Sequence, residues 1–585
     1  MKKKNSVELS SFIDYSNKMF KAGRPIMRFV MEHFGIEIVT KFHFFSKTPN
    51  NSEFQISSKA ALSAELQGHF FEMNLLLMEF QGIYTEELML NRAEFLKLDL
   101  EKFKKDFHSD YIEKRLEDDI NLAKSRGVAL APSIAINGYL YEGAWDEQAL
   151  IEAIENANTK PVTNAMQSFL HWGSSAAVVL LLAAIAALVF VNIGFIKQYE
   201  FLRHFKLGFI AGNNSFIFPI EVWINDGLMA IFFLLIGLEI KREVISGELS
   251  DIKKASMPVI GAIGGMLIPA LLYFLINKEG AAAYGWGVPM ATDIAFTLGL
   301  MALLGKKVPN ALLVFISALA VSDDLGAILV IALFYGHGFH IGAFIAALVI
   351  VGIMGVLSYQ KVYSKTIYVV LGLVLWFFIF QSGLHATLAG VITAILIPAR
   401  RRGNIAGIAT QSSIIFEDEI QRIKDSDNSQ ESIRHGALKV IRKAFNRLIG
   451  PGEQIEYSLE ATVNYSILPL FAFFNTGILV VGTYFNVFTP INLGIIVGLC
   501  IGKPLGIVGF CWLADKFKIA SLSSGISWPQ LFGAACLAGV GFTMSIVVAG
   551  AAFEGEMLDG AKLSILIASG ISAVFGLFIL KRAVS

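Results

Sequence analysis

Two adjacent carboxylates lie in the middle of an apolar stretch, Ala318-Leu319-Ala320-Val321-Ser322-Asp323-Asp324-Leu325-Gly326-Ala327, with no basic residue close by in sequence. A charge in hydrocarbon costs on the order of several kcal/mol, so this pair needs a chemical reason. Helix packing alone, with both aspartates paired to bases elsewhere, would be an expensive one. Neighbouring helical positions lie about 100° apart, so both side chains can reach one cavity from different directions. Close carboxylates in a low dielectric resist losing both protons. A small hard cation such as Na⁺ relieves the same repulsion by taking oxygen ligands, so protons and the cation would compete for one site. If that site faces each side of a membrane alternately, competition becomes exchange.

Three further positions carry polar groups into apolar stretches. In Gly287-Val288-Pro289-Met290-Ala291-Thr292-Asp293-Ile294-Ala295-Phe296, glycine and proline interrupt a helix beside a hydroxyl and a third carboxylate, and Gly539-Val540-Gly541-Phe542-Thr543-Met544-Ser545 is a second interrupted stretch. Paired broken helices mark transporters built from inverted repeats, whose half-helix ends leave N–H and C=O groups unpaired at mid-membrane. Asp293 is placed to offset the positive ends, a structural role rather than ion binding. Lys503, in Ile501-Gly502-Lys503-Pro504-Leu505-Gly506, is a lone ammonium deep in a span. It needs an anion, and Asp323 or Asp324 is the natural partner; the alternative is a lysine that snorkels to the interface. Glu239, Arg242 and Glu243 fall at i, i+3 and i+4 at the end of another span and share one helix face. They read equally as a solvated helix end or as a funnel that attracts cations.

The segments that must position these groups are long and apolar. From Gly173 onward, runs able to cross roughly 30 Å of hydrocarbon recur near 174–195, 219–240, 255–276, 287–304, 309–335, 340–358, 366–380, 384–398, 458–482, 491–514, 529–552 and 560–580. That predicts about twelve transmembrane helices. Lys and Arg gather in one set of alternate loops, including Lys241, Lys253, Lys306, Lys361 and Lys516, and in the long 399–452 loop. Those loops are expected to face the cytoplasm, and an even span count leaves both termini there.

Composition supports the same class. The mean hydropathy is +0.59 and there are 47 Phe, more apolar matter than soluble cores of a 585-residue chain can hide. Lys+Arg and Asp+Glu balance at 48 each, so net charge gives no reason to expect nucleic acid as a partner. Charge is concentrated in the first 160 residues, which makes the rest still more apolar. The three cysteines, Cys500, Cys511 and Cys536, all lie in apolar stretches and supply neither a disulfide framework nor a thiolate metal site to the first domain. The start, Met1-Lys2-Lys3-Lys4, is basic but no apolar core follows, so this domain is expected to stay in the cytoplasm.

The first 160 residues read as a small α/β or α-rich domain, with an alternating apolar segment at 27–45 and amphipathic helices at 57–82 and 84–106. Gln67-Gly68-His69-Phe70-Phe71-Glu72-Met73, Leu98-Asp99-Leu100-Glu101-Lys102-Phe103, and Gly127-Val128-Ala129-Leu130-Ala131-Pro132-Ser133 leading to Ile136-Asn137-Gly138 and Gly143-Ala144 resemble the DsbA-type branch of the thioredoxin fold. The resemblance implies that Pro132 is that fold's cis-proline, beside the place where a substrate thiol docks. The Cys-x-x-Cys pair that supplies a reactive thiolate is absent, so no thiol chemistry is expected. What is left is a peptide-binding or regulatory module, or a retained fold that packs against the 399–452 loop or does little.

Residues from about 174 to 582 resemble an NhaA-type Na⁺/H⁺ antiporter, a family that is itself a type example of inverted repeats with broken helices. Ala291-Thr292-Asp293-Ile294-Ala295-Phe296, Asp323-Asp324-Leu325-Gly326-Ala327, Ser382-Gly383-Leu384-His385-Ala386-Thr387-Leu388-Ala389-Gly390, Leu468-Pro469-Leu470-Phe471-Ala472-Phe473, Gly502-Lys503-Pro504-Leu505-Gly506 and Gly541-Phe542-Thr543-Met544-Ser545 fall in that family's order. The resemblance implies a site at Asp324 and Asp323 for transported Na⁺ or Li⁺, Lys503 bonded to the aspartate pair, and Thr292 with Asp293 at the crossing of the broken helices. It implies exchange of two protons per cation, and a pH response through Glu239, Arg242, Glu243 and Glu456 at a cytoplasmic funnel. Where the family carries histidines beside Glu456, this chain has Tyr457 and Glu460, and its 399–452 loop is longer. His385 reads as a packing and hydrogen-bonding residue.

The expected organisation is therefore residues 1–160, a DsbA/thioredoxin-like α/β cytoplasmic domain without redox cysteines; a linker at 161–172; and residues 173–585, an all-α polytopic antiporter domain in a bacterial inner membrane. No cofactor and no enzymatic activity are expected, and a homodimer is one state the reading allows. A sodium-coupled symporter of related fold and a non-transporting sensor or scaffold are the rival functions; the intact Asp323, Asp324 and Lys503 speak against the latter.

Overall fold

A computed structural model describes residues 7–17, 38–80, 82–129, 131–141, most of 150–154, 175–211, 214–335, 339–398, 450–480, 486–522 and 525–584, with a few positions between 407 and 440. The expected linker at 161–172, Leu130, Gly143 and Ala144 of the thioredoxin-like motif, residues 27–37 and most of the 399–452 loop lie outside the described residues. The chain divides into two compact units, Met1–His171 and Trp172–Ser585.

Among the described residues of the first unit a four-stranded sheet runs β2-β1-β3-β4, with β1 at Val7–Ile13, β2 at Ile38–Phe44, β3 at Ser133–Ile136 and β4 at Tyr139–Leu140. β1 and β2 pair in parallel, whereas β3 lies antiparallel to β1. Because β1 is interior, Leu9, Ser10, Ser11, Phe12 and Ile13 are all buried, and the strand does not alternate apolar with polar. That double-sided burial hides it from a reading based on alternation. Five helices separate β2 from β3: α1 Ser52–Glu65, α2 Phe70–Glu79, α3 Glu86–Phe95, α4 Leu100–Phe107 and α5 Asp110–Ser125.

Each of the two predicted helices is in fact two. Gly68, at φ +81°, takes the left-handed conformation that ends α1, and its N–H bonds to the Glu65 carbonyl. Lys97 turns the chain after α3, and the Asp99 carboxylate then caps α4 by accepting from the Lys102 N–H at 3.1 Å. Gln67 ties the two breaks together, donating to the Asp99 carbonyl and accepting from the Asp99 N–H. The Ala131–Pro132 peptide is cis, as the resemblance implies.

Among the described residues of the second unit seven helices are long and apolar enough to cross a membrane, and an eighth span forms if one bent pair is taken as a single crossing. Helix occupies part of all twelve segments expected to span. The remaining four fall short of that test because they are broken, short or charged: α8 Met229–Ser246, α10 Ile294–Ala302 behind a 3₁₀ stretch at Ala281–Met290, α14 Leu388–Leu396, and the α15–α16 pair, Pro451–Thr462 and Leu468–Thr476, joined by a π turn at Val463–Ile467. The unbroken spans include α9 Ile252–Ile276, α11 Asn310–Phe334, α12 Ile341–Tyr359, α13 Lys365–Ser382 and α21 Gly555–Ala583. The first span runs through α6 Ser175–Phe190 and α7 Ile196–His204, and a hairpin of β5 Lys206–Ala211 with β6 Asn214–Pro219 follows it. α17 Pro490–Val497 and α18 Lys503–Lys516 form one span through a π turn at Gly498–Gly502. The bent pair is α19 Trp528–Ala538 and α20 Phe542–Ala552, which meet at 46°.

Lys241 of α8 donates to the Ala394 and Ile395 carbonyls, and also to Ile397, closing the C-terminal end of α14.

Candidate ion-exchange site

The site is assembled where the two interrupted segments meet. Ala291, Thr292 and Asp293 run between the 3₁₀ stretch and α10, and they lie against the Gly539–Gly541 break between α19 and α20. The Asp293 N–H donates to the Val540 carbonyl at 2.8 Å, so each break supplies the other's missing backbone partner. Thr292 and Thr297 hydroxyls donate to the Ala538 and Leu537 carbonyls, the open C-terminal end of α19. In the other direction, the Ser545 hydroxyl donates to the Val288 carbonyl at 2.9 Å.

Asp293 faces two helix N-termini at once. Its Oδ1 accepts from the Phe296 N–H of α10 at 3.0 Å, and its Oδ2 accepts from the Thr543 N–H and hydroxyl of α20. A negative group there complements the positive ends of both dipoles.

α11 carries Asp323 and Asp324, each 1% exposed. Lys503, the first residue of α18, is wholly buried. Its Nζ donates to Asp323 Oδ2 at 2.6 Å and to the Met290 carbonyl beside the first break. Lys503 therefore pairs with Asp323 of the two candidates and does not snorkel. The backbone can come this close because α18 presses against α9 through glycine: a Cβ on Gly506 would sit 2.1 Å from the Gly264 carbonyl oxygen, and one on Gly502 would sit 2.9 Å from the Pro269 Cα.

Asp324 differs from its neighbour. Among the described residues neither of its oxygens has a hydrogen-bond donor, and the second oxygen of Asp323 has none either. Asp324 lines a cavity of 190 Å³ that also reaches Glu239, Arg242, Glu456, Glu460 and Asn464, with Asp293 and Thr543 beside it. Glu239, Arg242 and Glu243 lie on α8, as their spacing predicts, and Glu456 comes from α15. The Arg242 guanidinium bonds the Glu456 carboxylate and lies 3.6 Å from Glu243. Glu239, Arg242, Glu243 and Glu456 are thus brought together, and all but Glu243 share the cavity with Asp324.

Three participants escape a reading of motifs alone. The Met290 carbonyl becomes a ligand to Lys503 because the chain is extended after it, and Thr543 becomes a partner of Asp293 only once the breaks are seen to touch. Asn464 follows Glu456 and Glu460 at successive i+4 steps, a spacing that could have found it. His385 Nδ1 lies 3.1 Å from the Thr387 hydroxyl, a local contact consistent with packing.

The family model for Na⁺/H⁺ antiporter 1 matches residues 167–580. The chain belongs to that family. The Na⁺/H⁺ antiporter NhaA of Nitrosospira multiformis is 37% identical over 535 residues, covering 88% of this chain and 85% of that protein. NhaA of Helicobacter acinonychis is 42% identical over 446 residues, 73% of this chain and 98% of its own length. The Nitrosospira match is longer than residues 167–580 can account for, so that antiporter shares part of the first unit as well. A thioredoxin family model matches residues 31–157. Among solved structures, a thioredoxin-like oxidoreductase from Silicibacter pomeroyi is 21% identical, over 27% of this chain and 89% of that one, at a TM-score of 0.24. By the two family matches, the protein is a multi-pass NhaA-type membrane protein with an N-terminal thioredoxin-like domain.

Proposed function

We propose that this antiporter exchanges Na⁺ for protons by letting the two compete for Asp324. The observation that carries the reading is a carboxylate 1% exposed whose oxygens have no donor among the described residues, set in a small cavity lined by polar and apolar side chains together. A buried carboxylate in that state is stable when a proton or a cation neutralises it, and each displaces the other. Asp323, held by Lys503, supplies a second oxygen to the cation. Thr292 and Asp293 hold the crossing of the broken helices and keep the cavity's inner wall in register.

The same reading extends to Li⁺ as an alternative cargo, to two protons per cation, and to a membrane potential that drives cations out. A net charge crossing is worth about 2.3 kcal/mol per 100 mV. We place the protein in the bacterial inner membrane with both termini in the cytoplasm, and assign Glu239, Arg242, Glu243 and Glu456 to the pH response at the cytoplasmic mouth. Residues 1–160 form the cytoplasmic domain, 161–172 the linker and 173–585 the antiporter, which a homodimer would suit. A cavity of 190 Å³ is small beside the roughly 300 Å³ or more of organic-ligand sites, which favours ion exchange over symport of an organic substrate.

The test is Na⁺-induced dequenching of a pH dye in everted vesicles, comparing the wild type with Asp324→Asn from neutral to alkaline pH. Proton movement on adding Na⁺ should vanish in the variant. Because protons compete, raising the pH should lower the half-saturating Na⁺ of the wild type, by up to about tenfold per unit for one competing proton. A wild type inserted and folded but silent to Na⁺ would overturn the reading.

A further inference from the structure

The cavity over Asp324 contains two groups that the exchange reading above does not use, Glu460 and Asn464. Both come from the segment that carries Glu456: Glu460 from α15, and Asn464 from the π turn that follows it. Positions four apart on an α-helix drift around its axis by about 40° per step. The wider π turn takes back part of that drift just where Asn464 sits, and so keeps it on the cavity face.

The three side chains form a sequence of decreasing exposure. Glu460 is exposed at the mouth, Asn464 is half-buried, and Asp324 is fully buried at the floor. Arg242 is engaged by Glu456 and Glu243. Among the described residues Glu460 makes no ion pair and the Asn464 side chain makes no hydrogen bond, so their oxygens are not committed to holding the fold. Carboxylate and carboxamide oxygens are the ligands that hard cations prefer, and a cation sheds its water most cheaply by exchanging it for such oxygens one at a time.

We infer that Glu460 and Asn464 are ligands of the transported alkali cation on its way to Asp324: the carboxylate gathers it at the mouth and the carboxamide oxygen takes the place of part of its water. This rests on the exchange reading and adds two residues that set how much Na⁺ the site needs. They act before the cation reaches Asp324, so they should govern half-saturation far more than maximal rate.

The experiment uses the full chain in proteoliposomes, with the exchange rate measured against Na⁺ at one fixed alkaline pH. Glu460→Gln and Asn464→Leu should each raise the half-saturating Na⁺ by about fivefold or more, while the maximal rate falls less than about twofold. Glu460→Asp and Asn464→Gln keep the oxygen and should return half-saturation to within about twofold of the wild type. A lower maximal rate at unchanged half-saturation, or no change at all, would overturn the inference while leaving exchange through Asp324 standing. A wild type without Na⁺-dependent exchange would remove both. Should Asn464→Leu fail to insert, the exposed Glu460 position decides the matter.

Discussion

Asp119 in the first unit and Asp324 in the second are almost equally buried, at 3% and 1% exposure, yet their surroundings differ. Asp119 receives His43 Nδ1 at 2.7 Å and the Phe44 N–H at 3.3 Å, with Arg115 at 4.0 Å. Asp14, also buried, accepts from the N–H and hydroxyl of Ser16. In the membrane unit the aspartates form a gradient: Asp293 takes three donors, Asp323 takes Lys503 on one oxygen, and Asp324 takes none among the described residues. A filled carboxylate holds a fold together; an unfilled one keeps its lone pairs for a ligand that comes and goes. On the proposed reading, folding chemistry and transport chemistry use the same side chain, distinguished by the donors around it.

Substitutions can break that comparison at either end. The largest effect is expected from Lys503→Ala, which leaves Asp323 buried without its cation and should cost about 3–5 kcal/mol. It would be read as a drop in the thermal unfolding midpoint of the detergent-solubilised chain, and adding Asp323→Asn should recover much of the loss. An unchanged midpoint would mean that the pair does not hold the spans. Asp119→Ala should come next, at about 2–3 kcal/mol for a buried acceptor lost to both His43 and a strand N–H. Its effect should be confined to the first unit and seen as faster proteolysis within residues 1–160 of the full chain. Asn17→Ala is smaller. The Asn17 amide donates to the Ala131 carbonyl at 2.9 Å, the residue before Pro132, and losing it should cost about 1 kcal/mol by the same protease assay.

Polar residues in apolar runs made the candidate site legible in the sequence, because charge in lipid is conspicuous wherever it occurs. Asp323, Asp324, Lys503, Thr292 and Asp293 stand out for that reason, and the spacing of Glu239, Arg242 and Glu243 puts them on one helix face. What stayed hidden were contacts between distant segments: the choice of Asp323 over Asp324 by Lys503, the Asp293–Thr543 bond, and the Met290 carbonyl. No local pattern encodes which breaks touch. In the first unit the order was reversed, with the motifs around Gln67, Asp99 and Pro132 pointing to the fold while periodicity misplaced the elements. β1 was missed because both its faces are buried, and each long helix was split by a turn at Gly68 or Lys97 that amphipathic spacing runs straight across.

The smallest effect is the most diagnostic. Asp324→Asn removes no hydrogen bond among the described residues, since neither oxygen accepts one. It replaces a group that is costly to bury when charged with a neutral one of similar shape. Unfolding in Na⁺-free buffer should therefore shift by less than about 1 kcal/mol, in either direction, while transport should be lost. Added Na⁺ should raise the wild-type midpoint, because a ligand that binds the folded form stabilises it, and should leave that of Asp324→Asn where it was. If instead the variant lost about 2 kcal/mol or more without Na⁺ present, Asp324 would be held by the structure as Asp119 is. The contrast between a carboxylate that builds and a carboxylate that exchanges would then have to be drawn between other residues.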